Sequence, residues 1–430
     1  MIMSRILKYS LAVCLTVFIS APLLRADGGA YGSYTPYSIF GMGDMTQPGT
    51  AYNRSMGGVG IATRNHRFIN TINPAAVTAR DSLAFMADYS ITGDYRIFRQ
   101  ADMKSASNTF NIADCVMSFP IWKTSAMMVG ITPYSGTGYG YVQYETDPNK
   151  IGYTGNVTYS NAGQGSIYQV FAAAGVTFFK HISLGAEYIH YFGDIEKAFT
   201  QSFTESSYTG LSNSSSLYLK ADSWKFGFQW DFAIKQKHQF CIGATYAVET
   251  PTKGYLTSYV GTDTTTVILK DLKEADKVRI PSEKGVGLSY RYADKFAAEF
   301  DYSRSDWGGS NVDKLSTVTG FTPVLSECYR AGFEYTPNRT DIRYYMKKVT
   351  YRAGAYRKNE YYSLNGNAIT STGITLGATF PVFKWYNGLT VAVDIGQRGS
   401  IQDNLIRERF INLSIGMNIF DIWFQKYKYD

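Results

Sequence analysis

The chain has 430 residues, and 42 Lys and Arg against 35 Asp and Glu give a formal net charge of +7. So mild and scattered a positive charge argues against nucleic-acid binding. The four cysteines are too few for a disulfide framework, and no Cys-x-x-Cys spacing predicts a metal, so no metal or other cofactor is expected. Tyr (35), Phe (26) and Gly (40) are abundant, as in membrane β-barrels and in soluble β-proteins alike.

Residues 1–26 have the features of a signal peptide. Arg5 and Lys8 form a short basic region, Leu11–Leu24 form an apolar stretch, and cleavage is expected after the small residue Ala26. A signal anchor is the alternative, but the apolar stretch is shorter than the ~20 residues that a membrane span needs. The sequence therefore predicts export.

Residues 27–81 show no alternation and are rich in Gly, Asn and Thr. Small residues cluster around Met56, Gly57 and Gly58, where glycine allows close approach of one backbone to another. Further on, Asn73-Pro74-Ala75 marks a turn, because proline excludes helix for the residue before it. We predict that this stretch is a hatch, folded as a plug inside a barrel formed by residues 82–430. A flexible periplasmic extension is the alternative.

Residues 82–430 contain segments that alternate with a period of two. In the last of them Ile411, Leu413 and Ile415 are separated by Asn412 and Ser414, as expected for a strand with one face in lipid and one in a wet lumen. Beyond the leader, the sequence has no other apolar run long enough to span a membrane, which leaves a barrel as the spanning structure. The predicted fold is an all-β, transmembrane antiparallel barrel of about fourteen strands, at 82–96, 108–120, 124–136, 166–179, 181–197, 218–234, 238–250, 284–292, 294–304, 326–336, 348–357, 370–381, 387–397 and 408–420.

The lengths of the connections follow the same architecture. Connections after even-numbered strands are mostly short, and those after odd-numbered strands are mostly long, at 137–165, 198–217, 251–283 and 305–325. Outer-membrane barrels have short periplasmic turns and long outer loops, whereas a soluble β-protein has no reason to sort its loops in this way. The connection 337–347 departs from the pattern. We therefore predict a bacterial outer-membrane location.

The inward positions of these strands carry charges of both signs. Two interpretations stay open: ion pairs between neighbouring strands that brace the wall, or a polar permeation path. The residues concerned are Lys225, Asp231, Glu249, Arg291, Glu299, Asp301, Arg330, Glu334, Arg352 and Asp394.

The third strand contains a proline where a barrel strand is expected to donate hydrogen bonds. Pro133 cannot donate to the ladder, and Gly136 weakens it. These two residues predict either a kink that opens the wall or the end of the strand at the outer rim.

An enzyme is not predicted. The four histidines, His66, His181, His190 and His238, have no accompanying Gly-x-Ser-x-Gly or other hydrolase pattern, and no phosphate-binding or calcium-binding loop occurs. We predict neither catalytic nor metal-ligating residues.

The N-terminal stretch resembles the long-chain fatty-acid transporter family of outer-membrane proteins (the FadL/TodX type). The matching residues are the run 54–62 (Arg-Ser-Met-Gly-Gly-Val-Gly-Ile-Ala), Asn70, and the run 73–76 (Asn-Pro-Ala-Ala). The resemblance implies a hatch inside a fourteen-stranded barrel, passive uptake of hydrophobic compounds such as long-chain fatty acids, and sideways exit through a gap in the wall.

Two functional hypotheses follow. The first is a transporter whose gate consists of the hatch residues Met56, Gly57, Gly58, Asn73, Pro74 and Ala75 and of the kink at Pro133 and Gly136. The second is a barrel of the same type that serves as a structural subunit of an outer-membrane secretion or assembly complex. The expected partners are a hydrophobic small-molecule ligand, outer-membrane lipid and lipopolysaccharide, and, for the second hypothesis, other proteins.

Overall fold

The alternating segments form antiparallel strands that close into one barrel. The structure, a computed structural model, describes residues 33–422 except 82, 206, 236, 263–265, 273–277, 316–319 and 383–386. The predicted signal peptide and the first residues of the predicted hatch lie outside the described residues. Within the described part, no helix is long and apolar enough to cross a membrane.

Fourteen strands make up the wall. β7 and β8 are each in two parts, which are separated by the short paired segments Thr250–Pro251 and Arg279–Ile280. The strands are β1 (Ala84–Gln100), β2 (Met103–Trp122), β3 (Ser125–Tyr144), β4 (Val157–Phe178), β5 (Ile182–Phe203), β6 (Leu211–Ile234), β7 (His238–Ala247 and Lys253–Thr262), β8 (Thr266–Leu272 and Glu283–Tyr292), β9 (Phe296–Asp306), β10 (Leu325–Tyr335), β11 (Thr350–Leu364), β12 (Asn367–Pro381), β13 (Gly388–Arg398) and β14 (Arg407–Ile422).

The last strand pairs with the first and closes the ring. β1 and β14 pair from Ala84 with Ile422 to Arg99 with Arg407. Closure satisfies backbone hydrogen bonds that lipid could not satisfy at a free edge. The predicted fold class, an antiparallel barrel of about fourteen strands, is confirmed.

Alternate side chains lie on opposite faces of the wall. In β12, Ile374 and Leu376 are 63 % and 56 % exposed, whereas Thr375 between them is fully buried. The exposed positions are apolar because they face hydrocarbon, and the buried positions are polar because they face the interior of the barrel.

Several strands extend further outward than predicted. β2 begins at Met103 rather than 108, β3 continues through Pro133 to Tyr144, and β6 begins at Leu211 rather than 218. The predicted loops 137–165 and 198–217 are therefore largely strand. Above the membrane both faces of a strand meet water, so backbone pairing continues there without the alternation on which the prediction relied.

The periplasmic ends of the strands are joined by short turns, with one exception. Two residues separate β2 from β3, and three residues separate β4 from β5, β6 from β7 and β8 from β9. Fourteen residues, 336–349, separate β10 from β11. The unusual connection noticed in the sequence is thus a true periplasmic loop, called the β10–β11 loop below.

Residues 33–81, called the inner segment, lie inside the ring of strands. They contain three short helices (Pro36–Ile39, Ala51–Arg54 and Pro74–Thr78) and a two-residue strand (Asp44–Met45). Hydrogen bonds join the segment to inward-facing residues of β1, β6, β9, β12 and β14. A stretch without a core of its own is thus ordered by the wall that surrounds it.

Candidate functional site: the inner segment and the wall beside it

The Asn-Pro-Ala motif forms hydrogen bonds with the helix that follows it, with the glycine-rich part of the inner segment and with β6. The Asn73 side chain accepts a hydrogen bond from Ala75 N (3.0 Å) and so caps the helix that Pro74 begins. Its amide nitrogen donates to Ile61 O (2.7 Å), which belongs to residues 56–62, called the glycine-rich run below. The same nitrogen donates to Phe228 O of β6 (3.2 Å). The motif therefore fixes the inner segment against the β6 side of the barrel.

The start of the glycine-rich run, at Met56 and Gly57, lies against β11 and β12, on the opposite side of the barrel from β6. Gly57, in a left-handed conformation with φ +73°, donates its N–H to Thr375 Oγ1 of β12 (2.7 Å). Met56 beside it is fully buried. A side chain on Gly354 of β11 would place a Cβ atom 2.3 Å from Gly57 N. Glycine on both sides lets the two backbones touch.

Other wall glycines make room for the inner segment in the same way, and the sequence analysis missed their role. Gly185 and Gly227 would each bring a Cβ within 3 Å of the Asn-Pro-Ala motif, and Gly243 would do so at Ile61. The sequence contained a signal for this contact, because these glycines stand at inward positions of alternating strands. Glycine inside a strand often marks a place where another backbone approaches closely.

The interior charges bind the inner segment as well as one another. Asp301 of β9 accepts hydrogen bonds from Gly60 N (2.6 Å) and Ile61 N (2.9 Å). Glu334 pairs with Arg291 and with Arg352, at 2.9 Å in each case. Arg352 in turn lies over the rings of two inner-segment residues, Tyr52 and Phe68, 4.3 and 4.9 Å from their centroids.

A buried cluster of two arginines and two carboxylic side chains, called the outer lock, holds the first part of the inner segment. Arg398 of β13 contacts Asp44 (2.5 Å) and Glu408 of β14 (2.7 Å). Arg96 of β1 contacts the same two carboxylates, at 3.0 and 2.7 Å. Burial alone would raise the pKa of Asp44, but Arg398 and Arg96 hold the pKa of that carboxyl well below its usual range. Thr35 donates its hydroxyl to Glu408 (2.8 Å).

The wall is incomplete between β2 and β3. Within the described residues these strands pair with each other only from Cys115 with Ile131 to Trp122 with Ser125. Residues 103–114 of β2 and 132–144 of β3 therefore border an interruption in the ladder, called the wall gap below. Barrel strands normally pair along their full length within the membrane.

The inner segment covers the wall gap. Asp44 and Met45 pair with Gly136 and Ser135 of β3 as a short antiparallel strand. Tyr34 bridges the gap, since its carbonyl accepts from Ser107 of β2 (3.2 Å) and its hydroxyl donates to Gly140 O of β3 (3.2 Å). Residues of the inner segment thus replace part of the missing pairing between β2 and β3.

Pro133 and Gly136 both lie at the wall gap. β3 does not end at Pro133, and its register with β4 shifts between Pro133 and Ser135. On the other edge Pro133 O accepts from the Thr46 hydroxyl (2.6 Å). These two residues contact the start of the inner segment, whereas Met56–Gly58 and Asn73–Ala75 contact other parts of the wall. The eight residues proposed as a gate are therefore distributed around the barrel.

Apolar side chains pack against one another in the lumen towards the outer loops. The rings of Phe40 and Phe321 stack with centroids 5.6 Å apart, and Trp307 packs on Tyr361 at 4.7 Å. A cavity lined by residues of the inner segment and by Met86, Ser118 and Met128 holds only about 10 Å³. The interior is closely packed at these places.

We expect a disulfide to form across the wall gap when Met45 and Ser135 are both replaced by cysteine. Thr46 N donates to Tyr134 O (3.0 Å), so the adjacent pair Met45–Ser135 is of the closer, non-hydrogen-bonded kind. Cα atoms about 4.5 Å apart suit a disulfide. Non-reducing electrophoresis, in a background with the native cysteines changed to serine, measures the crosslink. Either single cysteine alone should give none, and failure of the pair to crosslink would contradict this register.

The fold defines a class of protein: a closed barrel of the bacterial outer membrane, of the FadL-like type. The chain belongs to the BamG family, whose sequence model matches residues 7–430. No curated protein matches the sequence.

Solved structures with the same fold are distant in sequence. The toluene transporter TbuX of Ralstonia pickettii has a TM-score of 0.57 at 13 % identity, over 86 % of this chain and 97 % of that one. The toluene transporter TodX of Pseudomonas putida gives 0.56 at 13 %, over 89 % and 99 %. A FadL homologue of Pseudomonas aeruginosa gives 0.55 at 10 %, over 88 % and 100 %. These likenesses show the fold alone.

Proposed function

We propose that this chain is a structural subunit of an outer-membrane protein assembly complex and acts through its surfaces rather than through a pore. The observation that carries the proposal is the anchoring of the inner segment, which is bonded to the wall on opposite sides and has packed apolar rings above it. The family name, which points to an assembly-complex role, supports it further.

An inner segment bonded to opposite sides of the wall suits a subunit better than a transporter. Sites for small hydrophobic ligands usually enclose about 300–1,000 Å³. The cavity of about 10 Å³ beside residues 68–80 is far smaller. A cavity of about 360 Å³ lies beside residues 145–159, at the outer ends of the strands. The exposed surface of the wall, which contacts lipid and lipopolysaccharide in this proposal, remains available to other proteins.

Transport of hydrophobic compounds such as long-chain fatty acids is the second candidate, and the wall gap favours it. An interruption between β2 and β3 offers sideways passage to an apolar molecule if residues 33–46 are displaced. In this candidate Pro133 and Gly136 form the rim of the exit. Met56–Gly58 and Asn73–Ala75 would act as the fixed points about which the inner segment moves. The toluene transporters TbuX and TodX share the fold.

Purification of the full chain from native outer membranes in a mild detergent separates the two candidates. A subunit should co-purify with at least one other protein in fixed stoichiometry, and this association should persist through size-exclusion chromatography. A monomer that carries bound lipid would contradict the subunit proposal and support transport.

The crosslinked Met45→Cys/Ser135→Cys variant provides a second measurement. If the chain is a subunit, oxidation of this pair leaves the levels of other outer-membrane proteins unchanged. If the chain is a transporter, oxidation stops uptake of a fluorescent fatty acid, and reduction restores it. The Met45→Cys single variant is the control for both assays.

A further inference from the structure

The β10–β11 loop is folded rather than loose. Asn338 N donates to Lys347 O (2.8 Å) and closes the base of the loop. The Asp341 carboxylate accepts from Arg343 N (2.9 Å) and Tyr344 N (2.7 Å). These bonds hold the tip of the loop in one shape.

The loop is also tied to the barrel. Tyr345 donates its hydroxyl to Pro381 O at the end of β12 (2.9 Å), and Tyr351 of β11 donates to Met346 O (3.2 Å). Arg339 donates to the hydroxyls of Thr336 and Thr350. A loop fixed at both ends and in its middle presents its exposed side chains in a set geometry.

Three of the exposed side chains of the loop are large and apolar or aromatic. Ile342 is 97 % exposed, Met346 57 % and Tyr344 49 %. A single exposed apolar residue needs no explanation, but three within five residues on an ordered loop indicate a binding surface. Lys347, at the base of the loop, lies over the Tyr344 ring, 4.6 Å from its centroid, and so helps to fix the position of that ring.

The surroundings of this surface are positively charged. Among the described residues of the short turns and the loop, the acids Asp294 and Asp341 are paired with Arg67 and Lys347. The basic residues of the loop and of the adjacent β8–β9 turn are more numerous: Lys295, Arg339, Arg343, Lys347 and Lys348. A surface with an apolar centre and a basic rim is complementary to an apolar pocket bordered by carboxylates.

We propose that the β10–β11 loop docks a periplasmic protein domain, with Ile342 inserted into an apolar pocket and Arg343 beside acidic side chains at its edge. The inference rests on the proposed function, since it names the surface by which a subunit would hold its partner. A fully exposed, rigidly held aliphatic side chain at the centre of an interface is the kind of anchor that carries much of the binding energy.

Site-specific photocrosslinking in the full chain tests the contact directly. A photoreactive amino acid at position 342 should crosslink to the protein that co-purifies, and the crosslinked peptide should contain apolar residues with Asp or Glu nearby. Ile401, 45 % exposed between β13 and β14 at the opposite end of the barrel, is the control position. Crosslinks at 342 to lipid alone, or to no protein, would overturn the proposal and indicate an interfacial anchor instead.

Substitutions test the chemistry. We expect Ile342→Asp to reduce co-purification of the partner at least tenfold, and Arg343→Glu to reduce it severalfold, with the remainder lost at high salt. Ile401→Asp should change nothing, and heat-modifiable migration should show that all variants are folded. If the complex survives Ile342→Asp intact, the loop is not the docking surface, although the chain is still a subunit. If the unaltered chain purifies alone, the proposed function itself fails.

Discussion

Replacement of Arg398 by methionine should lower the free energy of unfolding by about 3–5 kcal/mol, the usual cost of removing one partner from a buried ion pair. The Arg398 side chain is 5 % exposed and contacts both carboxylates of the outer lock. Without it, Asp44 and Glu408 share only Arg96. Two buried carboxylates with one cation between them repel each other and lack part of their solvation.

Guanidinium unfolding in detergent, followed by tryptophan fluorescence, measures this loss. Arg409→Met is the matched control, because Arg409 belongs to the neighbouring strand β14 and is exposed. We expect the control to change stability by less than about 0.5 kcal/mol. Equal effects of the two substitutions would show that the outer lock does not stabilise the fold.

The pH dependence of the outer lock follows from the pKa of the Asp44 carboxyl. Its pKa is held below the usual range in the folded protein by Arg398 and Arg96, against the effect of burial. A carboxyl with a depressed pKa contributes stability that is present above its unfolded pKa and is lost as the pH falls through the folded value. The ion pairs of Asp44 with Arg398 and Arg96 should therefore persist in mildly acidic media.

Gly354→Val should displace the glycine-rich run from the wall. The new Cβ would lie 2.3 Å from Gly57 N and 2.4 Å from Met56 C, and backbone atoms cannot turn aside as a side chain can. Overpacking of this kind costs about 1–3 kcal/mol or more. Because Arg54 is buried next to this run, displacement should expose a tryptic site after it.

Limited trypsin digestion with mass spectrometry detects that cleavage. Gly93→Val in β1 is the control, since the nearest atom to a Cβ there is Thr109 O at 3.9 Å. Rapid cleavage after Arg54 in the Gly354 variant but not in the Gly93 variant is the expected result. Resistance of both would mean that the wall yields instead of the inner segment.

The sequence predicted the barrel because a strand between lipid and a wet interior must alternate, as the pattern from Ile411 to Ile419 shows. It could not predict where the strands end, because β2 and β6 leave the membrane and lose the constraint at their outer parts. Their first residues, Met103 and Leu211, are specified by pairing with a neighbour, which leaves no periodic signal.

The site was predictable only in part. Asn73 and Gly57 stand out in sequence because a proline and a glycine cluster mark special backbone. Arg398 and Asp44 meet across a sequence separation of 354 residues, and the sequence alone does not indicate which inward charge meets which. At Pro133 the sequence left open two possibilities, a kink that opens the wall or the end of the strand, and it did not indicate that Tyr34 and Asp44 would cover a gap there.

The uneven lengths of the strands have a consequence for the cell surface. β6 has 24 residues, about 80 Å of extended chain, whereas β13 has 11 residues, about 36 Å. Tilted by about 45°, β6 rises about 56 Å, roughly twice the height of an apolar band of about 25 Å. The β6 side of the barrel therefore projects well beyond the outer leaflet on the extracellular side, whereas the β13 side does not.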